Sequence, residues 1–179
     1  MEQKLHTPEG VRDIYNKECE IKLTLQKKLS TVLHSYGYQD IQTPTFEFFD
    51  VYSKEIGTTP SSQLYKFFDK EGNTLALRPD FTPSCARCAA KYFMDEDMPV
   101  RLCYNGNIFI NNMSLRGSLK ESTVMGAEMI NDTTTDADAE MVAMLIQSLQ
   151  VSGLTEFQVE IGQVDFFNGL VEEAGFNEQ

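Results

Sequence analysis

RLCYNGNIFINNMSLRGSLKESTVMGAEMI, residues 101–130, decides the fold class, because two apolar runs flank a polar loop and the second run carries a carboxylate near its end. Val100, Leu102 and Tyr104 alternate with Arg101, Cys103 and Asn105, the period of two expected of a strand. Asn105-Gly106-Asn107 has the chemistry of a turn or bulge, and Ile108 to Ile110 then resumes an extended run. Asn111 to Lys120, polar apart from Met113 and Leu115, reads as a long hairpin loop, and Thr123 to Ile130 returns as the second strand. Within it Gly126 leaves room for close backbone approach. Glu128 has two readings: a carboxylate presented to a pocket, or a side chain facing solvent, since carboxylates are rarely buried unless paired.

Toward the amino terminus, Arg78-Pro79-Asp80-Phe81-Thr82-Pro83 follows a hairpin pattern in which Leu64–Phe68 and Thr74–Leu77 flank the turn Asp69-Lys70-Glu71-Gly72-Asn73. The two prolines stiffen the backbone around Asp80 and Thr82 where a strand gives way to a helix over about Pro83–Phe93. An acid and a hydroxyl held there suit a binding site; they equally suit a cap for that helix. Further upstream, Thr7 to Asp13 is a turn-rich entry. From about Ile14 to Tyr36, Leu25, Leu29, Val32, Leu33 and Tyr36 recur at helical spacing, with Gly37 as the stop. Tyr38 to Thr43 suggests a short strand ending at Pro44. Phe46, Phe48, Phe49, Val51 and Tyr52 are read as core, with a subunit interface as the alternative. Glu55 to Ser62 is a loop by composition.

Downstream, Thr133 to Asp138 places acids in the first turn of a helix carrying Ala139, Val142, Ala143, Ile146 and Leu149, closed by Gly153. Phe157, Val159 and Ile161 alternate as a strand, and Asp165 to Ala174 forms a last helix before Gly175.

The 179 residues, 41% hydrophobic and 23% charged, suffice for one globular core burying roughly 70% of the unfolded surface. No apolar run reaches the ~20 residues of a membrane span and no signal-like segment opens the chain, so a cytoplasmic protein is expected. The net charge of −12 argues against nucleic acid, whose affinity comes largely from Lys and Arg on phosphates. Cys19, Cys85, Cys88 and Cys103 include one C-x-x-C pair without a second pair or a histidine pair, so they read as reduced, mostly buried thiols and no metal site is expected. Neither His6 nor His34 has a partner that spacing can name.

Hairpins interleaved with few helices, without regular strand–helix alternation, indicate an α+β fold built on an antiparallel sheet. TPEGVRD (7–13), YGYQDIQTPTFE (36–47), LALRPDFTP (75–83), RLCYNGNIF (101–109) and GSLKESTVMGAEMI (117–130) together resemble, in order and spacing, the catalytic domain of the histidyl-tRNA synthetase-like family. TPEGVRD and the LRPD-x-TP form are more similar to its non-synthetase branch, the regulatory subunits of ATP phosphoribosyltransferase. The resemblance covers nearly the whole chain as the amino-terminal portion of longer members. It implies a class II aminoacyl-tRNA synthetase-like antiparallel sheet flanked by helices, in a homodimer that assembles with the short-form catalytic subunit of histidine biosynthesis. It further implies that the subunit performs no chemistry, needs no cofactor, and is required for activity and for feedback by histidine. Carried over by position, Asp80, Thr82 and Glu128 match the groups around the α-ammonium of bound histidine, which charge-assisted hydrogen bonding favours.

Departures from the synthetase pattern point the same way. Ile110 stands where that pattern has an arginine for the ATP α-phosphate, Ser118 replaces a second arginine, and Val124 replaces a glutamine of the ligand pocket. A histidyl-tRNA synthetase fragment is therefore the alternative reading, and a scaffold that has lost ligand binding is a third, supported by Val124. The resemblance places the imidazole contacts beyond this chain, so histidine binding by these residues alone is expected to be no tighter than roughly millimolar.

Overall fold

The computed structural model describes residues 5–53, 59–112 and 117–175. In chain order it contains α1 (Asn16–Ser35), β1 (Gln39–Asp40), β2 (Phe46–Phe48), α2 (Asp50–Ser53), a 3-10 turn (Ser61–Gln63), β3 (Lys66–Phe68), β4 (Thr74–Leu77), α3 (Thr82–Tyr92), β5 (Val100–Phe109), β6 (Glu121–Ile130), α4 (Thr135–Val151) and α5 (Val164–Glu173). The loop expectations at residues 55–58 and at Met113 and Leu115 lie outside the described residues.

β5 and β6 pair antiparallel without interruption from Val100↔Ile130 to Phe109↔Glu121. Asn105-Gly106-Asn107 is therefore not a turn or bulge: it lies within β5, with Gly106 opposite Val124. The glycine answers to packing instead, since a Cβ there would stand 2.8 Å from Phe81 Cζ and 2.9 Å from Arg78 Nη2. Both asparagines have side-chain partners. Asn105 Oδ1 accepts from Gln26 Nε2 at 2.9 Å, while Asn107 donates to Glu121 at 2.6 Å and accepts from Thr123 Oγ1 at 2.7 Å. Glu121 thus joins the strand, two residues ahead of the expected start.

Alternation divides the hairpin into two faces. Cys103, Met125, Ala127 and Met129 turn toward α1 and α4 and pack with Val32, Leu33, Tyr38 and Met144. The intervening positions, Tyr104, Gly106, Val124, Gly126 and Glu128, face the other way, toward α3. β1 extends the sheet along β5 and runs parallel to it, the one parallel pairing among the described strands, whose other pairings are antiparallel.

A second sheet, in the order β2-β4-β3, is antiparallel throughout. Its β3–β4 hairpin forms as expected, with Asp69 Oδ1 accepting from the N–H groups of Glu71 and Asn73 at 3.0 and 2.8 Å. Tyr52 is buried with Leu64 and Ala76, in accord with a core reading. Phe46 and Phe48 are not core: they are 51% and 58% exposed, because the alternation of β2 turns both to one open face of a three-stranded sheet.

Phe157, Val159 and Ile161 do not form a strand. Alternation alone cannot hold one; backbone groups need a neighbouring edge, and no described strand pairs with this segment. α5 follows as a helix, with Phe166, Phe167 and Leu170 exposed. No helix among the described residues is long and apolar enough to cross a membrane.

Candidate functional site

The site is built on Arg78, which follows β4 and joins the two sheets. Its N–H donates to Thr45 O and its carbonyl accepts from Phe109 N–H, both at 3.0 Å. Its guanidinium is buried and donates to the carbonyls of Asn107 (2.7 Å), Thr43 (3.0 Å) and Pro44 (3.4 Å). Burial pulls its pKa below the usual arginine value, but from so high a starting point the group stays charged. The cation is thereby committed to holding the backbone before Asp80. It also lies 4.1 Å over the Phe81 ring, which stacks on Tyr104 with centroids 4.3 Å apart and planes 6° from parallel.

Neither Asp80 nor Thr82 caps α3. The N-cap residue is Phe81, whose own side chain makes no capping bond. Asp80 Oδ1 accepts from the adjacent Phe81 N–H at 2.6 Å. Thr82 opens the helix and donates its hydroxyl to Glu128 Oε1 on β6 at 2.6 Å. Pro83 follows at a position where a missing N–H costs nothing.

Glu128 is thus partly buried and engaged rather than turned to solvent alone. Tyr104 Oη donates to the same Oε1 at 3.3 Å, so both hydroxyls converge on one carboxylate oxygen, and among the described residues Oε2 accepts from no donor. Burial, then Glu128 and Asp80, push the Tyr104 phenol above its ordinary value, which keeps it a protonated donor at neutral pH. Gly126 makes room for it: a Cβ there would overlap the Tyr104 ring. Behind the site, burial and then Glu128 push the Cys85 thiol up to about 12, so it remains a protonated thiol.

Of the residues expected from sequence, the fold joins Thr82 to Glu128 directly. Asp80 shares no hydrogen bond with either among the described residues, although its charge reaches Tyr104. Tyr104 was not among the expected site residues; its position opposite Gly126 was the available signal, because a strand glycine facing an aromatic residue marks close packing. Glu128 with its two hydroxyl donors, and Asp80 whose charge reaches Tyr104, offer acceptors of the kind that suit a small cation. Val124, on the same face, adds an apolar wall.

A protein-family model described as histidyl-tRNA synthetase matches residues 10–179. The ATP phosphoribosyltransferase regulatory subunit of Ruminiclostridium cellulolyticum is 46% identical over 176 residues, covering 98% of this chain and 42% of that protein. The protein of the same name from Acetivibrio thermocellus is 44% identical, covering 99% of this chain and 43% of its own length. The chain therefore spans less than half the length of these relatives. Among solved structures, an ATP phosphoribosyltransferase regulatory subunit/histidyl-tRNA synthetase from Bacillus halodurans superposes with a TM-score of 0.85 at 34% identity, over 94% of this chain and 43% of the other. Apo histidyl-tRNA synthetase of S. aureus follows at 0.71 and 27%, over 84% of this chain and 35% of that one.

Proposed function

From the premise that this chain belongs to the histidyl-tRNA synthetase family, with its class II synthetase-like α+β fold, we propose that it acts as a non-catalytic regulatory subunit of ATP phosphoribosyltransferase in histidine biosynthesis. The observation that carries this reading is identity of 44–46% along nearly the whole chain to proteins named as that subunit. In this reading the described residues make up one partial class II-like domain of a cytoplasmic protein, a homodimer within a hetero-oligomer that includes the short-form catalytic subunit. Histidine is the effector, and Asp80, Thr82 and Glu128 receive its α-ammonium.

The site geometry supports a receptor for an amine rather than a centre for phosphate chemistry. Among the described residues, Glu128 keeps one carboxylate oxygen without a donor, beside two hydroxyls on the other. Arg78, the arginine closest to Asp80 in sequence, is held on backbone carbonyls. Ile110, in the position that synthetases of the family fill with an arginine, is apolar, and its N–H closes the hairpin on Lys120 O at 3.0 Å. Stabilising charge on the reacting phosphates is the main contribution of a protein to such chemistry.

The test is to assay the short-form catalytic subunit with and without the full-length protein across a histidine titration. A rate that rises on addition and falls with histidine supports the whole reading. A rate unaffected by addition removes it, and activation without histidine response leaves a scaffold that has lost its effector site.

A further inference from the structure

His34, Asp40 and Cys103 arrive at one point from three elements. His34 stands in the last turn of α1, and the left-handed turn at Gly37 (φ +83°) returns the chain so that β1 passes beneath it. His34 Nε2 lies 3.1 Å from Asp40 Oδ2. Asp40 and Cys103 are register partners in the parallel β1–β5 pair, fixed by the Ile41 N–H donating to Cys103 O at 2.9 Å. The Cys103 sulfur is 3.5 Å from Asp40 Oδ1, and one donor atom from each residue fits within 4.8 Å of the other two.

Two features distinguish this cluster from an ordinary surface ion pair. Cys103 is buried in the apolar cluster under α1 and α4, yet its sulfur is directed at the carboxylate. Zinc bonds of about 2.0–2.2 Å to nitrogen or oxygen and about 2.3 Å to sulfur place neighbouring ligand atoms roughly 3.3–3.7 Å apart; the two short spacings here, 3.1 Å from His34 to Asp40 Oδ2 and 3.5 Å from Cys103 to Asp40 Oδ1, lie just below and within that range, and the three side chains close on an ion by a small turn of the exposed imidazole and carboxylate. An imidazole nitrogen, a carboxylate oxygen and a thiol sulfur are a donor set for borderline-soft divalent ions, not for magnesium or calcium. The His34 and Asp40 side chains are 47% and 70% exposed, which gives an ion a way in and solvent a place on it.

We propose that His34, Asp40 and Cys103 form a three-ligand site for a divalent transition-metal ion of the zinc type, with water completing the coordination. Cys103 and Tyr104 are adjacent in β5 and face opposite ways, so this site lies on the side of the sheet away from Thr82 and Glu128 and is independent of the function proposed above. On binding, the Cys103 S–H bond breaks, the proton passes to solvent and the thiolate pair forms the metal–sulfur bond.

The probes are zinc by calorimetry and cobalt by absorption, both on the reduced full-length protein. One zinc per chain is expected, with affinity at least tenfold weaker in His34→Ala and in Cys103→Ser and unchanged in Cys88→Ser. Cobalt should give a thiolate-to-metal charge-transfer band that Cys103→Ser lacks. Because His34 is exposed and its removal leaves the core intact, zinc should raise the melting temperature of the parent protein and not of His34→Ala. Absence of zinc binding, equal affinity in His34→Ala, or a cobalt–thiolate band that survives in Cys103→Ser would each overturn the proposal.

Discussion

Thr82 on α3 donates its hydroxyl to Glu128 Oε1 on β6 at 2.6 Å, tying the amino-terminal turn of one helix to a strand far along the chain. The bond orients the carboxylate without using both of its oxygens. If the open oxygen receives an α-ammonium, Glu128→Gln removes a charge-assisted bond of about 1.5–3 kcal/mol, equivalent to roughly a ten- to hundredfold loss of affinity. Calorimetry with histidine on the full-length protein checks this, with the melting temperature as a control for folding. Unaltered affinity in a folded variant would remove Glu128 from the site.

Activation of histidine by ATP is expected to be absent. Loss of one donor to developing charge typically costs about 10²–10³ in rate, and if the resemblance aligns Ile110 and Ser118 with synthetase arginines, two such donors are missing. Histidine-dependent pyrophosphate exchange should not exceed a no-protein control. Exchange above that level would favour the synthetase reading.

The β5–β6 hairpin was legible because a period of two over a half-buried strand leaves little else to read. The Asn-Gly-Asn motif misled, since local composition reports turn propensity while the need for Gly106 comes from Phe81 and Arg78 across the fold. The same limit applies to His34 and Cys103, whose common neighbour Asp40 appears only once β1 is placed beside β5. Thr82 and Glu128 were each singled out by local pattern but joined only through resemblance, because no spacing rule links residues on a helix and a strand so far apart. Phe157 to Ile161 shows the converse failure: alternation was present, but pairing depends on a partner that the pattern does not encode.

Packing around Gly106 yields a stability test. Gly106→Ala would push a methyl into Phe81 Cζ and Arg78 Nη2, each under 3 Å from the added carbon, and overpacking of this kind costs about 1–3 kcal/mol. Arg78→Met should cost more, about 3 kcal/mol, because carbonyls at Asn107, Thr43 and Pro44 lose a charged donor. Urea unfolding curves decide the order. A Gly106→Ala variant as stable as the parent would show that the stack of Arg78, Phe81 and Tyr104 can shift freely.

Association with a short-form catalytic subunit should appear as co-elution on size-exclusion chromatography at micromolar concentration. Tyr52 is buried beside Leu64 and Ala76 and is unavailable for such contact, whereas Phe48 is 58% exposed. Phe48→Ser is therefore expected to weaken the complex without lowering the melting temperature, as exposed positions usually contribute under about 0.5 kcal/mol to folding. Separate elution of the unaltered proteins, with no change in catalytic rate on mixing, would count against the partnership itself.

Arg101 and Glu140 connect β5 to α4 through two parallel bonds, Nε to Oε1 at 2.9 Å and Nη2 to Oε2 at 3.0 Å. The Arg101 bond holds the Glu140 carboxyl below its ordinary value, so in the acid range the unfolded chain binds a proton there more readily than the folded one. Stability from this pair is therefore complete above the unfolded carboxyl value and is lost as pH falls through the lower folded value. Asp69 and Asp132 are also shifted down by hydrogen bonds, chiefly from Asn73 and Thr134, and they act in the same direction. The contribution of Asp69 is common to the parent and to Glu140→Gln and cancels in the difference between the two, whereas Asp132 interacts with both Arg101 and Glu140 and belongs to the same charge-dependent set. The excess melting temperature of the parent over that variant should be constant near neutrality and shrink as the solution is acidified through the carboxylate range. A difference that stays constant throughout would mean that Glu140 stabilises the protein through packing and neutral hydrogen bonding, without dependence on its charge.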